Sequence, residues 1–214
     1  MTMSLPPHVY HLAEAANATS ILRHGLMPTS ELLKRGGLSA DERSRLSRTQ
    51  RPLNTTLPDG AVIRHQRPMP AAALANCLVG MTPGEWYALL NSRVFFWCDV
   101  DRLNRLRKAC EPDPQVLYTV DTAALLSAYN PLVSLTPINS GNARRRPARR
   151  GAATFVPYRV WLESGWASEA AALGTRPRPR AHRPVELTVA GPLPDFARFV
   201  VATQPLAPGE LFAG

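Results

Sequence analysis

Val185-Glu186-Leu187-Thr188-Val189-Ala190-Gly191-Pro192-Leu193-Pro194, near the C-terminus, and Val9-Tyr10-His11-Leu12, near the N-terminus, are the stretches on which the fold turns. The first is a β-prone run with one carboxylate inside it and a Gly-Pro turn after it. A charge within such a run is costly to bury and marks a candidate functional group. The second is an apolar strand carrying one histidine. A helix over 14–24 follows it, with Gly25 as C-cap and Ser20-Ile21-Leu22-Arg23-His24-Gly25-Leu26 forming its end.

Between these ends, helix and strand signals alternate irregularly. Thr29-Ser30-Glu31 reads as a helix start. Residues 34–60 read mostly as loop, although Ser39-Ala40-Asp41-Glu42 fits a capping box and allows a short helix. An alanine-rich helix is expected at about 70–79, and another after Thr82-Pro83, where the N-cap and the N1 proline favour a start. Val94-Phe95-Phe96-Trp97 is strongly β-prone, 99–109 has helical spacing, and 115–120 is a strand. Asp121 caps a helix over about 122–128, and 131–136 is a short strand running into the polar turn 137–142. A helix within 160–173, an extended Arg176-Pro177-Arg178-Pro179-Arg180 and a last strand at 199–202 complete the chain. Many short strands with helical insertions predict an α+β fold with a split antiparallel sheet and flanking helices.

Composition sets wide bounds. The 214 residues suit a single domain over 1–214, with basic loops at about 34–60, 141–153 and 174–184. No apolar run approaches the roughly 20 residues of a membrane span, and Met1 to Pro7 lacks a secretory pattern, so a cytoplasmic protein is expected. Cys77, Cys98 and Cys110 lack metal spacing and read as reduced thiols. The five histidines are scattered, so no metal is expected. The net charge of +9 comes almost wholly from arginine. It fits a polyanion partner, and equally a codon bias that puts arginine in place of lysine.

Val9-Tyr10-His11 followed by the short helix ending at Gly25 resembles the opening of DarT-type DNA ADP-ribosyltransferases. Val94-Phe95-Phe96-Trp97 is similar to that family's aromatic strand. Val116-Leu117-Tyr118-Thr119-Val120 with Leu132-Val133-Ser134-Leu135-Thr136 resembles its paired strands, and Val185-Glu186-Leu187-Thr188-Val189 its catalytic-glutamate strand. The four segments stand in the family's order over most of the chain. Thr136-Pro137-Ile138 lacks the family's aspartate at the corresponding turn.

The resemblance implies an ADP-ribosyltransferase-like fold and NAD as co-substrate, with Glu186 as catalytic carboxylate. It also implies a catalytic arginine, for which Arg64 and Arg67 are candidates and Arg93 a third. His11, Tyr10, Arg93, Phe95, Phe96 and Tyr118 would hold NAD. Arg144, Arg145, Arg146, Arg149 and Arg150 would grip a nucleic acid, with DNA favoured over RNA as target and a toxin-like role beside an antitoxin protein. A non-catalytic basic nucleic-acid-binding module on the same fold, and an RNA 2′-phosphotransferase-like enzyme, are the alternatives. No glycine-rich dinucleotide or P-loop motif is present, so NAD would not be held in the Rossmann manner.

Overall fold

The computed structural model describes residues 4–110, 112–144 and 146–214. Strand β1 (His8–Glu14) alternates faces, with Val9 and Ala13 in one core cluster and Leu12 in another. A 3-10 turn leads into α1 (Ala18–His24), which stops at Gly25 with φ 78°. Helices α2 (Thr29–Arg35) and α3 (Ala40–Arg48) follow, α3 opening on a complete Ser39/Glu42 capping box. The strands β2 (Thr55–Thr56) and β3 (Val62–Ile63) form a small hairpin. Next come α4 (Ala71–Ala75) and α5 (Pro83–Asn91), the latter held by a Thr82/Glu85 capping box.

β4 (Arg93–Trp97), α6 (Val100–Ala109), β5 (Gln115–Asp121) and α7 (Thr122–Tyr129) form the middle of the chain. Asp99 and Asp121 cap the two helices, each accepting a backbone N–H. β6 (Val133–Thr136), β7 (Val156–Pro157), α8 (Tyr158–Ser164), α9 (Ala167–Leu173), β8 (Glu186–Ala190) and β9 (Val200–Leu206) complete it.

The α+β class expected from the sequence is the one observed. Several boundaries differ. The strand at the N-terminus runs to Glu14, so helix begins at Ala18 rather than residue 14. The helix expected at about 70–79 spans only Ala71–Ala75. The helix within 160–173 is two helices, because Gly165 takes φ 61° between them. The last strand extends to Leu206 along its pairing with β5.

Among the described residues the main sheet has seven strands in the order β7-β6-β8-β4-β1-β5-β9, each paired antiparallel to its neighbours. The two stretches that decide the fold are not neighbours: β4 lies between β1 and β8. The segment that leaves α1 does meet the turn after β8, through the Leu26–Leu193 bridge. One face of the sheet carries Val9, Phe96, Val120, Leu135, Leu187 and Val189 against Leu125 and Trp161. The other carries Leu12, Trp97 and Leu117 beneath Leu103 of α6. Each fully buried side chain of this kind contributes about 1.5–3 kcal/mol.

The sheet is split between β1 and β4, which share one paired position, Tyr10 with Trp97. Continued register would set Leu12 opposite Phe95, but the strands part there. In an antiparallel ladder alternate residues point their N–H and C=O to the same edge. Ala15 bonds toward β5, through Pro114, so even-numbered residues of β1 face β4. Cys98 bonds toward β8, through Val185, so odd-numbered residues of β4 face β1. The carbonyls of Leu12 and Phe95 therefore open onto the gap. Side chains take the place of the missing strand partner at both. His11 Nδ1 lies 2.8 Å from Phe95 O, and Arg64 donates to Leu12 O at 3.0 Å.

Candidate active site

The split opens a cleft of about 530 Å³. Its floor follows from strand alternation. Trp97 pairs with Glu186 and Phe95 with Thr188, while Thr136 and Ser134 pair with the same two β8 residues from the other side. Directly paired residues share a face, so a row of polar side chains lies opposite the face of Leu187 and Val189. Glu186, Thr188, Ser134 and Thr136 are all buried.

Glu186 is 3% exposed and is the single carboxylate among the described residues that line the cleft. The Ser140 amide donates to both of its oxygens at 3.2 Å. Thr136 Oγ1 lies 2.9 Å from Glu186 Oε2 and 2.7 Å from Ile138 O. A hydroxyl has one hydrogen and a carbonyl can only accept. With Glu186 ionised, Thr136 turns its hydrogen to the carboxylate. With Glu186 protonated, the acid donates to Thr136, which donates on to Ile138. The site thus satisfies both protonation states. Burial pushes the Glu186 carboxyl up to about 7, against the opposing pull of the Ser140 and Thr136 hydrogen bonds and the Arg150 charge.

His11 Nδ1 must carry the hydrogen that Phe95 O accepts, which leaves Nε2 as the lone pair of the neutral ring. Burial, with the Arg64 charge adding to it, brings this imidazole down to about 4. Arg64 is held by Glu14 at 2.8 Å as well as by Leu12 O. Arg93 stacks its guanidinium 4.5 Å above the Phe155 ring and donates to Thr188 Oγ1 at 3.3 Å. Its Nε has no partner among the described residues.

Of the residues expected at the site, His11, Arg64, Arg93, Phe95, Phe96 and Glu186 line this cleft. Phe96 is fully buried, its ring packed on His11 and Phe196, so it offers no free face to a ligand. Tyr10 packs on Phe212 outside the cleft lining, and Tyr118 is 1% exposed against Phe196. These positions correct the expectation that the two tyrosines contact a cofactor. Arg67 is exposed and outside the lining, so Arg64 is the one of that pair in the cleft. Arg144, Arg146 and Arg149 are exposed, and Arg145 lies outside the described residues. Arg150 is 2% exposed, with its guanidinium spent on the carbonyls of Ala148, Ser140 and Asn142. It supports the Glu186 loop from behind and presents nothing to a nucleic acid, contrary to expectation.

Sequence reasoning missed four residues. Ser140 lies in a turn recognised only as polar, and Thr136 closes the short strand that runs into it. Arg102 and Arg105 stand three apart on α6 and line the cleft, Arg102 held by Asp99 at 3.0 Å. Their signal was a helix starting directly after the aromatic strand. The cleft thus gathers Arg64, Arg93, Arg102 and Arg105 around one carboxylate. Its volume falls in the range of about 300–1,000 Å³ typical of small-molecule sites. Among the described residues no cluster of three or more His, Cys, Asp or Glu could hold a metal, and no helix is long and apolar enough to cross a membrane.

An α+β protein with a split antiparallel sheet and a buried acid at the split is thereby defined. The chain belongs to DUF7002, described as a family of unknown function, which matches residues 7–200. No curated protein matches it. Among solved structures it is similar to Thermus sp. 2.9 DarT in complex with ADP-ribosylated ssDNA. That match has 16% identity and a TM-score of 0.40, covering 91% of this chain and 80% of that one.

Proposed function

We propose that this chain is an NAD-dependent ADP-ribosyltransferase acting on a nucleic-acid base, with DNA favoured over RNA. The observation that carries the reading is Glu186, a buried carboxylate brought to about 7 and set alone among four arginines in the cleft at the sheet split. The order of sequence motifs shared with DarT-type enzymes adds support. The cleft residues fit NAD: arginines suit a diphosphate, the ring of Phe95 suits a nicotinamide face, and the lone pair of His11 suits a ribose hydroxyl.

In the transfer, the bond between C1′ of the ribose and the nicotinamide nitrogen breaks, and nicotinamide leaves with the electron pair. The ribose passes through an oxocarbenium-like state, which the Glu186 carboxylate stabilises. A base nitrogen or oxygen bonds C1′, and Glu186 accepts the proton it releases. A group near 7 is suited to both the charged and the proton-accepting role. A toxin-like role opposed by an antitoxin belongs to the same reading.

The test incubates the protein and its Glu186→Gln variant with NAD and, separately, single-stranded DNA, duplex DNA, total RNA and a protein lysate. Mass spectrometry follows ADP-ribose adducts and free nicotinamide. An adduct on DNA, reduced by about 10²-fold or more in the variant, is the expected result. Nicotinamide release only with 2′-phosphorylated RNA would move the assignment to the phosphotransferase class. Neither adduct nor release from folded protein would leave a binding module.

A further inference from the structure

A second concavity of about 540 Å³ lies between α1, α2 and the turn of the β2–β3 hairpin, outside the cleft that holds Glu186. Arg23 and His24 reach it from the last turn of α1, Arg35 from the last turn of α2, and the hydroxyls of Thr19 and Ser20 from one turn earlier on α1. Among the described residues none of these five side chains has a hydrogen bond or ion pair. The single carboxylate of the groove, Asp59, accepts the Ala61 amide of its own turn at 3.1 Å. Last-turn arginines do favour the carbonyl end of a helix, by about 0.3–1 kcal/mol. That preference does not account for cations from two helices converging with two free hydroxyls on one concavity.

The groove is also not isolated. A pocket of about 150 Å³ shares Asn17 and Ala61 with it, and shares His11 and Arg64 with the Glu186 cleft, so the three concavities adjoin in series.

We infer that Arg23, His24 and Arg35, with Thr19 and Ser20, form an anion subsite that takes a phosphate group. Guanidiniums fork hydrogen bonds to phosphate oxygens, and hydroxyls and an imidazole N–H complete the donor set. The phosphodiester of a single strand running on toward the cleft is one source of that group, and a free nucleotide is the other. The subsite stands on its own residues and does not require NAD chemistry at Glu186.

The test measures binding, so it is separate from turnover. Fluorescence anisotropy with a labelled single-stranded oligodeoxynucleotide compares the wild type, Arg23→Ala/Arg35→Ala, and a charge-matched control, Arg159→Ala/Arg198→Ala, across a salt series. Both doubles remove exposed side chains, and circular dichroism checks their folding. The site double is expected to bind about tenfold more weakly than the control. Its salt slope should fall by about 1.4, two single-strand contacts at about 0.7 each. A parallel titration with AMP follows the backbone amides of Ser20, Arg23 and Arg35 by NMR. Shifts there without any oligonucleotide effect uphold the phosphate subsite and assign it to a free nucleotide. Equal losses in both doubles, or none, together with silent amides under AMP, overturn the inference.

Discussion

His11 Nδ1 stands 2.8 Å from the carbonyl oxygen of Phe95, across the point where the two halves of the sheet separate. The same histidine closes the backbone of β4 and lines the cleft, so it joins the strand ladder to the candidate site. His11→Ala should leave Phe95 O without its donor and destabilise the fold by about 1–3 kcal/mol. Chemical denaturation checks this. A stability equal to wild type would mean that water replaces the imidazole without loss.

The two titrating groups of the site bias stability in opposite directions. His11 is brought from 6.5 down to about 4 by burial, so the unfolded chain binds the extra proton between those values. Its contribution is full above 6.5 and is lost as pH falls toward and through about 4. Glu186 is brought from 4.5 up to about 7, so the folded chain binds the extra proton there. Its contribution is full below 4.5 and is lost as pH rises through about 7. Between 4.5 and 6.5 the two slopes oppose, and the wild type should be nearly flat in its site-dependent stability. Glu186→Gln removes one slope, and stability should then climb from pH 4 to 6.5 by up to about 3 kcal/mol. Denaturant midpoints across that range decide it, and matching slopes in wild type and variant would sink the assignment.

Arg150 acts on Glu186 through the loop between them. Its Nη1 donates to Ser140 O at 3.2 Å and Asn142 O at 2.9 Å, while the Ser140 amide holds the carboxylate. Arg150→Met should cost about 2–4 kcal/mol, because the buried Ser140 carbonyl and the half-buried Asn142 carbonyl lose their partner. It should also shift the midpoint of the pH–rate profile for nicotinamide release upward, since the Arg150 charge favours ionised Glu186. Oligonucleotide affinity should stay unchanged, because the side chain is buried. A variant that binds DNA more weakly with an unmoved pH profile would return Arg150 to the nucleic-acid surface.

Arg149 and Arg150 show why part of the site could not be read from sequence. They are neighbours in one arginine-rich run, yet one is exposed and the other is enclosed by carbonyls. Composition gives both the same reading, and only the path of the loop separates them. Arg64 was ambiguous against Arg67 for a related reason. It is aimed by a hairpin of two-residue strands, too short to show a period-2 pattern. Helix α3 lay within a region read mostly as loop because its one buried residue is Leu46. His11 and Glu186 stood out in the sequence because each interrupts an apolar strand, and the structure places both in the lining of one cleft.

Gly25 carries a further constraint that links the first strand to the last motif. Its φ is 78°, and a Cβ there would stand 2.2 Å from Leu193 O and 2.5 Å from Pro194 Cα. Those atoms belong to the turn after β8, and Leu26 and Leu193 exchange backbone hydrogen bonds at 3.0 and 2.9 Å. Gly60 has a similar φ of 86° but nothing within 4 Å of a Cβ. Gly60→Ala should therefore cost only the conformational penalty, about 1–2 kcal/mol. Gly25→Ala should cost more, about 3 kcal/mol or above, because backbone must move as well. Thermal unfolding of the two variants separates the terms. Equal losses would mean that φ alone demands glycine at position 25, and that the turn after β8 can yield without disturbing the strand that carries Glu186.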